Sequence, residues 1–215
     1  MKYKNVYFIN GNAYAGKSTM VKLLSEKYDG IGCFENYHDQ LSDTLDPNEF
    51  PGLTYTRDLK DFRDFIRRTP DEYQEWINKT SRECEILELR ILDELIKEDK
   101  LIFVDTNISI ETLKKISDKD HVLIMLADPS ISVTRFFERP DKEKQFLYQL
   151  LITEEDKEKA LDNFRKCLER INNQESFNYF YNCGFNVLLR DDNRTIEETL
   201  ELVSEKFKLK GKINV

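Results

Sequence analysis

Five short, mainly apolar runs along the chain have the length and composition of β-strands. They are rich in Val, Ile, Leu and Phe, and they lie at residues 6–9, 31–34, 101–104, 122–126 and 185–189. The third and fourth runs are apolar throughout, which is typical of strands covered on both faces of a parallel sheet. We therefore predict five strands, of which these two are internal.

Between these strands, apolar residues recur at helical spacing. Breakers and caps mark several helix ends, namely Asp29-Gly30, Thr69-Pro70 and Pro140. The predicted helices lie at residues 17–28, 57–68, 70–97, 131–138 and 153–182, with a last one starting at 195. Strands that alternate with helices predict an α/β fold with a parallel sheet covered on both faces.

The charge balance narrows the classes of partner. Lys and Arg total 33 and Asp and Glu total 41, so the net charge is −8. A negative chain repels duplex nucleic acid and anionic lipid. We expect neither nucleic acid nor a membrane as a partner. The 215 residues suit one domain, which we expect as a monomer or a homodimer.

The short apolar runs and the spacing of the cysteines predict a cytoplasmic protein. The longest uninterrupted apolar run is residues 122–127, whereas a membrane span needs about 20 residues. Residues 6–9 are shorter than the roughly 7–15-residue core of a signal peptide. The 4 cysteines lie far apart without a C-x-x-C pair, which indicates reduced, mostly buried thiols.

A loop of small residues that ends in lysine and serine lies between the first strand and the first helix. Residues 11–18 read Gly-Asn-Ala-Tyr-Ala-Gly-Lys-Ser and match G-x-x-x-x-G-K-[ST] in the context that this pattern requires. Such a loop points backbone N–H groups at a polyphosphate, and the helix start adds positive charge. The predicted ATP site consists of Gly11, Asn12, Ala13, Tyr14, Ala15, Gly16, Lys17, Ser18 and Thr19.

Two side chains of this loop have separate predicted roles. Lys17 is a catalytic candidate because its ammonium would bridge the β- and γ-phosphates. Ser18 is a metal candidate because its hydroxyl would ligate Mg²⁺. ATP and Mg²⁺ are therefore the expected cofactors, although no local feature distinguishes ATP from GTP.

With this motif and element order, the chain resembles the small-molecule P-loop kinases, a group that includes shikimate kinase, gluconate kinase, adenylate kinase and chloramphenicol phosphotransferase. The resemblance covers most of the chain and is specific at residues 11–18. It implies a three-layer P-loop NTPase fold with a parallel five-stranded sheet, helices on both faces and one domain over residues 1–215. It also implies a helical acceptor-binding insertion at 36–80 and a lid at 130–152.

In the resembled kinases, carboxylates after the second strand hold the acceptor hydroxyl. Glu35 and Asp39 occupy that stretch here, four residues apart, whereas the family pattern usually separates its two acids by two residues. Either acid is a candidate catalytic base, and we favour Asp39. The alternative is that both are solvated loop acids.

Acidic residues also follow the third and fourth strands. Asp105 has the Walker B position of the resembled kinases, which makes it a second metal candidate. Alternatively, Asp105 caps the following helix through Asn107 and Ser109. For Asp128, which precedes Pro129, we favour a helix-capping role.

Arginines complete the predicted site. Arg135 and Arg139 would share one helix face, and the resemblance implies that such lid arginines close over ATP and act as catalytic groups. The alternative is a solvated helix in which Glu138 and Asp141 pair with them. Residues 190–194 follow the last strand, where adenine packs in the resembled kinases.

The predicted insertion combines basic and aromatic side chains. These residues suit an anionic or ring-bearing acceptor, but interleaved aspartates favour a salt-bridged helix face with a buried aromatic stripe. The basic residues are Arg57, Arg63, Arg67 and Arg68, and the aromatic residues are Tyr55, Phe62, Phe65 and Trp76.

The combined prediction is an ATP-dependent kinase that transfers the γ-phosphoryl group to a small-molecule acceptor. The alternative is a nucleotide-binding regulator or slow NTPase without such an acceptor, because a phosphate-binding loop does not reveal where the phosphoryl group goes.

Overall fold

The computed structural model describes residues 2–138 and 141–209. Within these residues, five strands form one sheet in the order β2-β3-β1-β4-β5, and every neighbouring pair is parallel. The strands are β1 (Val6–Gly11), β2 (Ile31–Cys33), β3 (Ile102–Asp105), β4 (Val122–Leu126) and β5 (Asn186–Leu189). The predicted α/β class and its five-stranded parallel sheet are confirmed.

Ten helices are present in the described part of the chain. They are α1 (Lys17–Tyr28), α2 (Leu53–Asp58), α3 (Arg63–Ile66), α4 (Pro70–Leu95), α5 (Ile110–Ile116), α6 (Pro129–Thr134), α7 (Lys142–Ile152), α8 (Lys157–Ile171), α9 (Gln174–Tyr181) and α10 (Ile196–Lys206). Two 3₁₀ segments, Tyr37–Thr44 and Phe136–Glu138, supplement them. No helix in the described ranges is both long and apolar enough to cross a membrane.

The central strand sets the position of its neighbours. Ile9 of β1 is level with Asp105 of β3, and Gly11 is level with Met125 of β4. The carboxyl ends of these three strands therefore meet at one sheet edge, where ligands of open α/β sheets bind. Every residue of β3 and β4 is buried, as their continuous apolar runs predict.

The predicted caps are present at three helices. Thr195 and Glu198 form a capping box at α10, and Asp128 accepts a hydrogen bond from the Ser130 amide at α6. At the start of α4, Thr69 and Glu72 exchange hydrogen bonds in the same reciprocal way. Local sequence therefore sets these helix starts.

Two predicted helices are each divided in the structure. In place of one helix at 57–68, α2 and α3 are separated by a turn in which Asp61 accepts a hydrogen bond from the Arg63 amide. In place of one helix at 153–182, α8 ends at Ile171, and Asn173 accepts a hydrogen bond from the Ser176 amide. Short polar side chains that bond to nearby backbone groups compete with helix continuation.

The chain forms two compact units. The first contains the sheet and comprises the described residues up to 40, residues 84–127 and those from 178 onward. The second comprises residues 41–83 and 128–177, and its core includes Phe65, Tyr73, Leu151, Phe164 and Leu168. Most of the predicted insertion and lid segments fall in this second unit.

All four cysteines are in the described chain. They are buried and none forms a disulfide, as the sequence predicts.

Candidate functional site

The glycine loop, defined here as residues 11–18, turns sharply between β1 and α1. Gly11, Tyr14 and Gly16 have φ values of 128°, 64° and 90°. At Gly11 a Cβ atom would lie 1.9 Å from the Met125 carbonyl oxygen, so only glycine fits beside β4. Gly16 precedes the first residue of α1, so the loop runs into a helix N-terminus. Such a terminus favours anions.

Asn12 fastens the glycine loop to the end of β4. Its side-chain amide donates to the Ala127 carbonyl at 2.7 Å, and its side-chain oxygen accepts from the Ala127 amide at 2.8 Å. Asn10, two residues before Asn12, is buried and donates to the Ile108 carbonyl at 2.7 Å. These paired contacts give Asn12 a structural role that its place in the motif does not reveal.

Three of the predicted site residues lie together at the sheet edge. The Ser18 hydroxyl donates to Asp105 Oδ2 at 2.6 Å, and Lys17 Nζ is 3.8 Å from Asp105 Oδ1. Lys17 Nζ also donates to the Asn12 carbonyl at 3.1 Å. The lysine side chain is 13% exposed and that of Asp105 only 4%, so this cluster is largely removed from water.

The charge on Asp105 is incompletely compensated. Burial raises the pKa of Asp105, while Lys17 and the Ser18 hydrogen bond act in the opposite direction. The nearby carboxylates of Glu35 and Glu88 raise this pKa further. A divalent cation beside Asp105 would stabilise its ionised form.

The Ser18 hydroxyl and the Asp105 carboxylate fit an Mg²⁺ ion whose other ligands are phosphates and waters. Among residues 2–138 and 141–209, no group of three or more His, Cys, Asp or Glu side chains has the geometry to hold a metal ion. Mg²⁺ commonly takes few protein ligands and keeps waters and substrate phosphates as the others. The hydroxyl of Ser18 and the carboxylate of Asp105 match that requirement.

The helix-capping alternative for Asp105 is wrong. The N-cap of α5 is Ser109, whose side chain accepts from the Thr112 amide. The Asp105 carboxylate instead bonds to Ser18.

The two acceptor-side acids have different surroundings. Glu35 is exposed in the turn after β2, and its charge contributes to the raised pKa of Asp105. Asp39 lies in the 3₁₀ segment Tyr37–Thr44, its side chain is 65% exposed, and its Oδ1 is 3.5 Å from His38 Nε2. Both carboxylates are therefore accessible to a ligand, and the choice of base stays a prediction.

A cavity of about 330 Å³ lies beside the glycine loop. Its apolar lining includes Met20, Met125 and Leu188, which come from three separate elements. On the polar side, Arg190 donates to the Tyr14 carbonyl and to Asp192 Oδ1, both at 2.7 Å. This cavity has the mixed lining that a nucleotide base requires. The predicted ATP site and the segment after β5 both contribute to this lining, whereas Met20, Met125 and Leu188 were not anticipated.

The predicted helix at residues 131–138 is shorter in the structure, and Arg135 lies beyond its end. α6 ends at Thr134, and Arg135 follows it as an exposed C-cap whose guanidinium is 3.7 Å from Glu138. In the segment after this helix, the rings of Phe136 and Phe137 lie against Phe164. Arg139 lies outside the described residues.

The basic residues of the predicted insertion are mostly paired with acids. Arg57 bonds to Asp58, while Arg63 and Arg67 both contact Glu154. These contacts favour the salt-bridged alternative for the three arginines. Arg68 differs from them, because its guanidinium lies 3.9 Å from the centre of the Tyr55 ring.

A second cavity, of about 470 Å³, belongs to the second unit. Arg68, Tyr55 and Trp76 are among its lining residues, together with acidic and basic side chains. A pocket with aromatic and charged walls exists there, as an acceptor-binding insertion would require.

Sequence analysis missed Glu88, the fully buried acid of α4. It is 0% exposed and accepts hydrogen bonds from residues that follow β2 and β3. A signal was present, since Cys84, Leu87, Glu88 and Leu92 recur at helical spacing and all are buried. An acid within such a stripe indicates a buried carboxylate with dedicated donors.

Comparison with known proteins assigns the chain to no family. The chain matches no protein-family model, and no curated protein matches it with significant similarity.

Proposed function

We infer that this protein binds Mg·ATP on the glycine loop and transfers the γ-phosphoryl group to a hydroxyl or phosphate of a small molecule. The observation that carries the proposal is the cluster in which Ser18 bonds to Asp105 at 2.6 Å while Lys17 lies 3.8 Å from the same carboxylate. A lysine, a hydroxyl and a carboxylate around a glycine loop are the groups that P-loop phosphoryl transfer uses.

The cluster suits charge stabilisation during transfer. In the proposed reaction the bond from the γ-phosphorus to the ADP oxygen breaks, and a bond to the acceptor oxygen forms. Lys17 neutralises the negative charge on the β- and γ-phosphates, and it is positioned for this by the Asn12 carbonyl. Ser18 and Asp105 would hold Mg²⁺, which would supply further neutralisation of the phosphate charge.

The acceptor side requires a proton acceptor. When a hydroxyl attacks, its proton passes to a carboxylate, for which Asp39 is our first candidate and Glu35 the second. Because both acids are exposed, an acceptor reaches them without unfolding of the chain.

Acceptor-dependent ADP formation tests the proposed function. We expect one class of acceptor to raise ADP formation from Mg·ATP at least about tenfold above the rate without acceptor, since positioned attack is far faster than hydrolysis. The measurement is a coupled ADP assay over panels of nucleosides, nucleotides, sugars, cyclic hydroxy acids and aminoglycoside or phenicol antibiotics. Reactions with EDTA serve as controls. A slow rate that no panel changes would instead support the nucleotide-binding regulator.

A second prediction concerns the metal. Asp105→Asn should raise the Mg²⁺ concentration for half-maximal ATP binding about 10- to 100-fold, the range found when groups that orient a metal site are altered. The measurement is a Mg²⁺ titration of ATP binding by calorimetry at fixed nucleotide concentration.

The matched control is Asp128→Asn, which changes the acid after β4, the next strand along the chain. Asp128 caps α6, and asparagine caps equally well, so its Mg²⁺ dependence should equal that of the wild type. If the Mg²⁺ concentration for half-maximal ATP binding rises equally in the two variants, Asp105 is not a metal ligand.

A further inference from the structure

Glu88 gathers hydrogen bonds from two different loops. Its Oε2 accepts from the Thr106 hydroxyl at 2.6 Å and from the Tyr37 hydroxyl at 3.3 Å. Its Oε1 accepts from the Asn107 side-chain amide at 3.0 Å, and the Asn107 backbone amide lies 3.1–3.2 Å from both oxygens. One carboxylate thus holds the loop after β2 and the loop after β3.

All of these partners act as donors. The Thr106 hydroxyl donates its hydrogen to Glu88, while its oxygen accepts from the Ile108 amide at 3.1 Å. Burial raises the pKa of Tyr37 and the charge of Glu88 adds to the shift, so the phenol keeps the proton that it donates. Such a set of donors suits a carboxylate, whose two oxygens accept hydrogen bonds and donate none.

The charge of Glu88 is balanced by hydrogen bonds rather than by a basic side chain. Within the described ranges, no lysine or arginine forms an ion pair with it, and the imidazole of His38 is the nearest basic group, with Nδ1 3.6 Å from Oε1. His38 is itself buried, and its Nε2 is 3.2 Å from Cys84 Sγ, one helical turn before Glu88. Two successive turns of α4 therefore anchor the residues that follow β2.

The two anchored loops carry the acids that the proposed function uses. Glu35 and Asp39 flank Tyr37 and His38, and Asp105 directly precedes Thr106. Since β2 and β3 are adjacent parallel strands, these loops leave the same edge of the sheet. A shift of the Glu88 carboxylate would displace both loops together.

We propose that Glu88 is a positioning residue that holds the acceptor-side acids in register with the metal-side acid, Asp105. This inference rests on the proposed function, and it adds to it a group that touches neither ATP nor acceptor. A misplacement of about 1 Å lowers the rate of a positioned reaction by up to about 10²-fold. The effect should therefore appear in kcat more than in the KM for ATP.

The test compares Glu88→Gln with Glu83→Gln. Glu83 is the other well-bonded buried acid of α4, and its carboxylate accepts from the amides of Gly52 and Leu53 at 2.8–3.0 Å. Each variant keeps the side-chain volume but removes a charged acceptor from the same helix. Thermal unfolding of both shows how much stability each change costs.

Two readouts separate positioning from stability. In amide hydrogen exchange, Glu88→Gln should speed exchange at residues 35–39 and 106–108 together, while Glu83→Gln should affect residues 51–54 instead. In steady-state kinetics, Glu88→Gln should lower kcat about 10- to 100-fold with the KM for ATP changed less than about threefold, and Glu83→Gln should lower kcat far less.

Tyr37→Phe provides a milder second variant if Glu88→Gln does not fold. It removes only the 3.3 Å bond to Glu88, and it should speed exchange at residues 35–39 to a smaller extent, because Thr106 and Asn107 keep their bonds to Glu88. Unchanged exchange at residues 35–39 in Tyr37→Phe would overturn the proposal. Faster exchange at one loop alone in Glu88→Gln, or equal kcat losses in the Glu88 and Glu83 variants, would overturn it as well. If the wild type shows no acceptor-dependent turnover, the proposed function fails, and hydrogen exchange still decides whether Glu88 holds both loops.

Discussion

Lys17→Ala should lower acceptor-dependent turnover on the order of 10³- to 10⁵-fold, the range that a positioned cationic side chain contributes to phosphoryl transfer. Lys17 Nζ contacts the Asn12 carbonyl and the Asp105 carboxylate, which are both polar groups, so its removal leaves the apolar core intact. The measurement is initial-rate ADP formation at saturating Mg·ATP, with circular dichroism as the check on folding.

Lys22→Ala is the matched control for Lys17. Lys22 belongs to the same helix, α1, and is exposed, so its loss should leave turnover within about twofold of the wild type. A folded Lys17→Ala protein that retains wild-type turnover would end the assignment of residues 11–18 as a phosphate site.

Asp39→Asn should lower kcat about 10²- to 10⁴-fold, which is the usual contribution of a general base. The affinity for ATP should change little, because in the proposed mechanism Asp39 acts on the acceptor and not on the nucleotide. Glu35→Gln should have the smaller effect on kcat. Initial rates over a range of acceptor and ATP concentrations measure kcat and both KM values.

Asp43→Asn supplies the control for general charge effects. Asp43 is an exposed acid in the same 3₁₀ segment, Tyr37–Thr44, and its loss should leave kcat unchanged. If Glu35→Gln lowers kcat more than Asp39→Asn does, the base is Glu35. If neither variant lowers kcat, the proposed proton transfer to these acids is wrong.

Most of the fold follows from local sequence. Five apolar runs predict all five strands because a buried parallel strand must be apolar on both faces. The caps at Thr69, Asp128 and Thr195 are equally local, since each side chain bonds to an amide two or three residues away. Interactions of this range are visible in a sequence.

Long-range packing explains most of what the sequence did not predict. Arg135 and Arg139 suggest a shared helix face, yet α6 stops at Thr134, and Phe136 and Phe137 pack on Phe164, which comes much later in the chain. Helical spacing indicates that Glu88 is buried, but its partners are not local, and Tyr37 lies 51 residues away in the sequence. A short stretch of sequence does not show which distant residues will contact it.

In the candidate site, the glycine-loop motif predicted which residues lie together. It did not predict the long-range hydrogen bonds that hold the loop in place. Lys17, Ser18 and Asp105 lie together as the motif and strand order suggest. The reciprocal bonds between Asn12 and Ala127 span 115 residues and escape any local pattern. The same is true of Arg190, which reaches the Tyr14 carbonyl across 176 residues.

The tethering of the glycine loop has a thermodynamic consequence. Asn12 fixes one part of the loop to Ala127 after β4, and Arg190 fixes Tyr14, so contacts within the chain hold the loop in its curved shape. Ordering a flexible residue costs roughly 1–2 kcal/mol in backbone entropy. Because that cost is met when the chain folds, an incoming phosphate would lose little of its binding energy to ordering the loop.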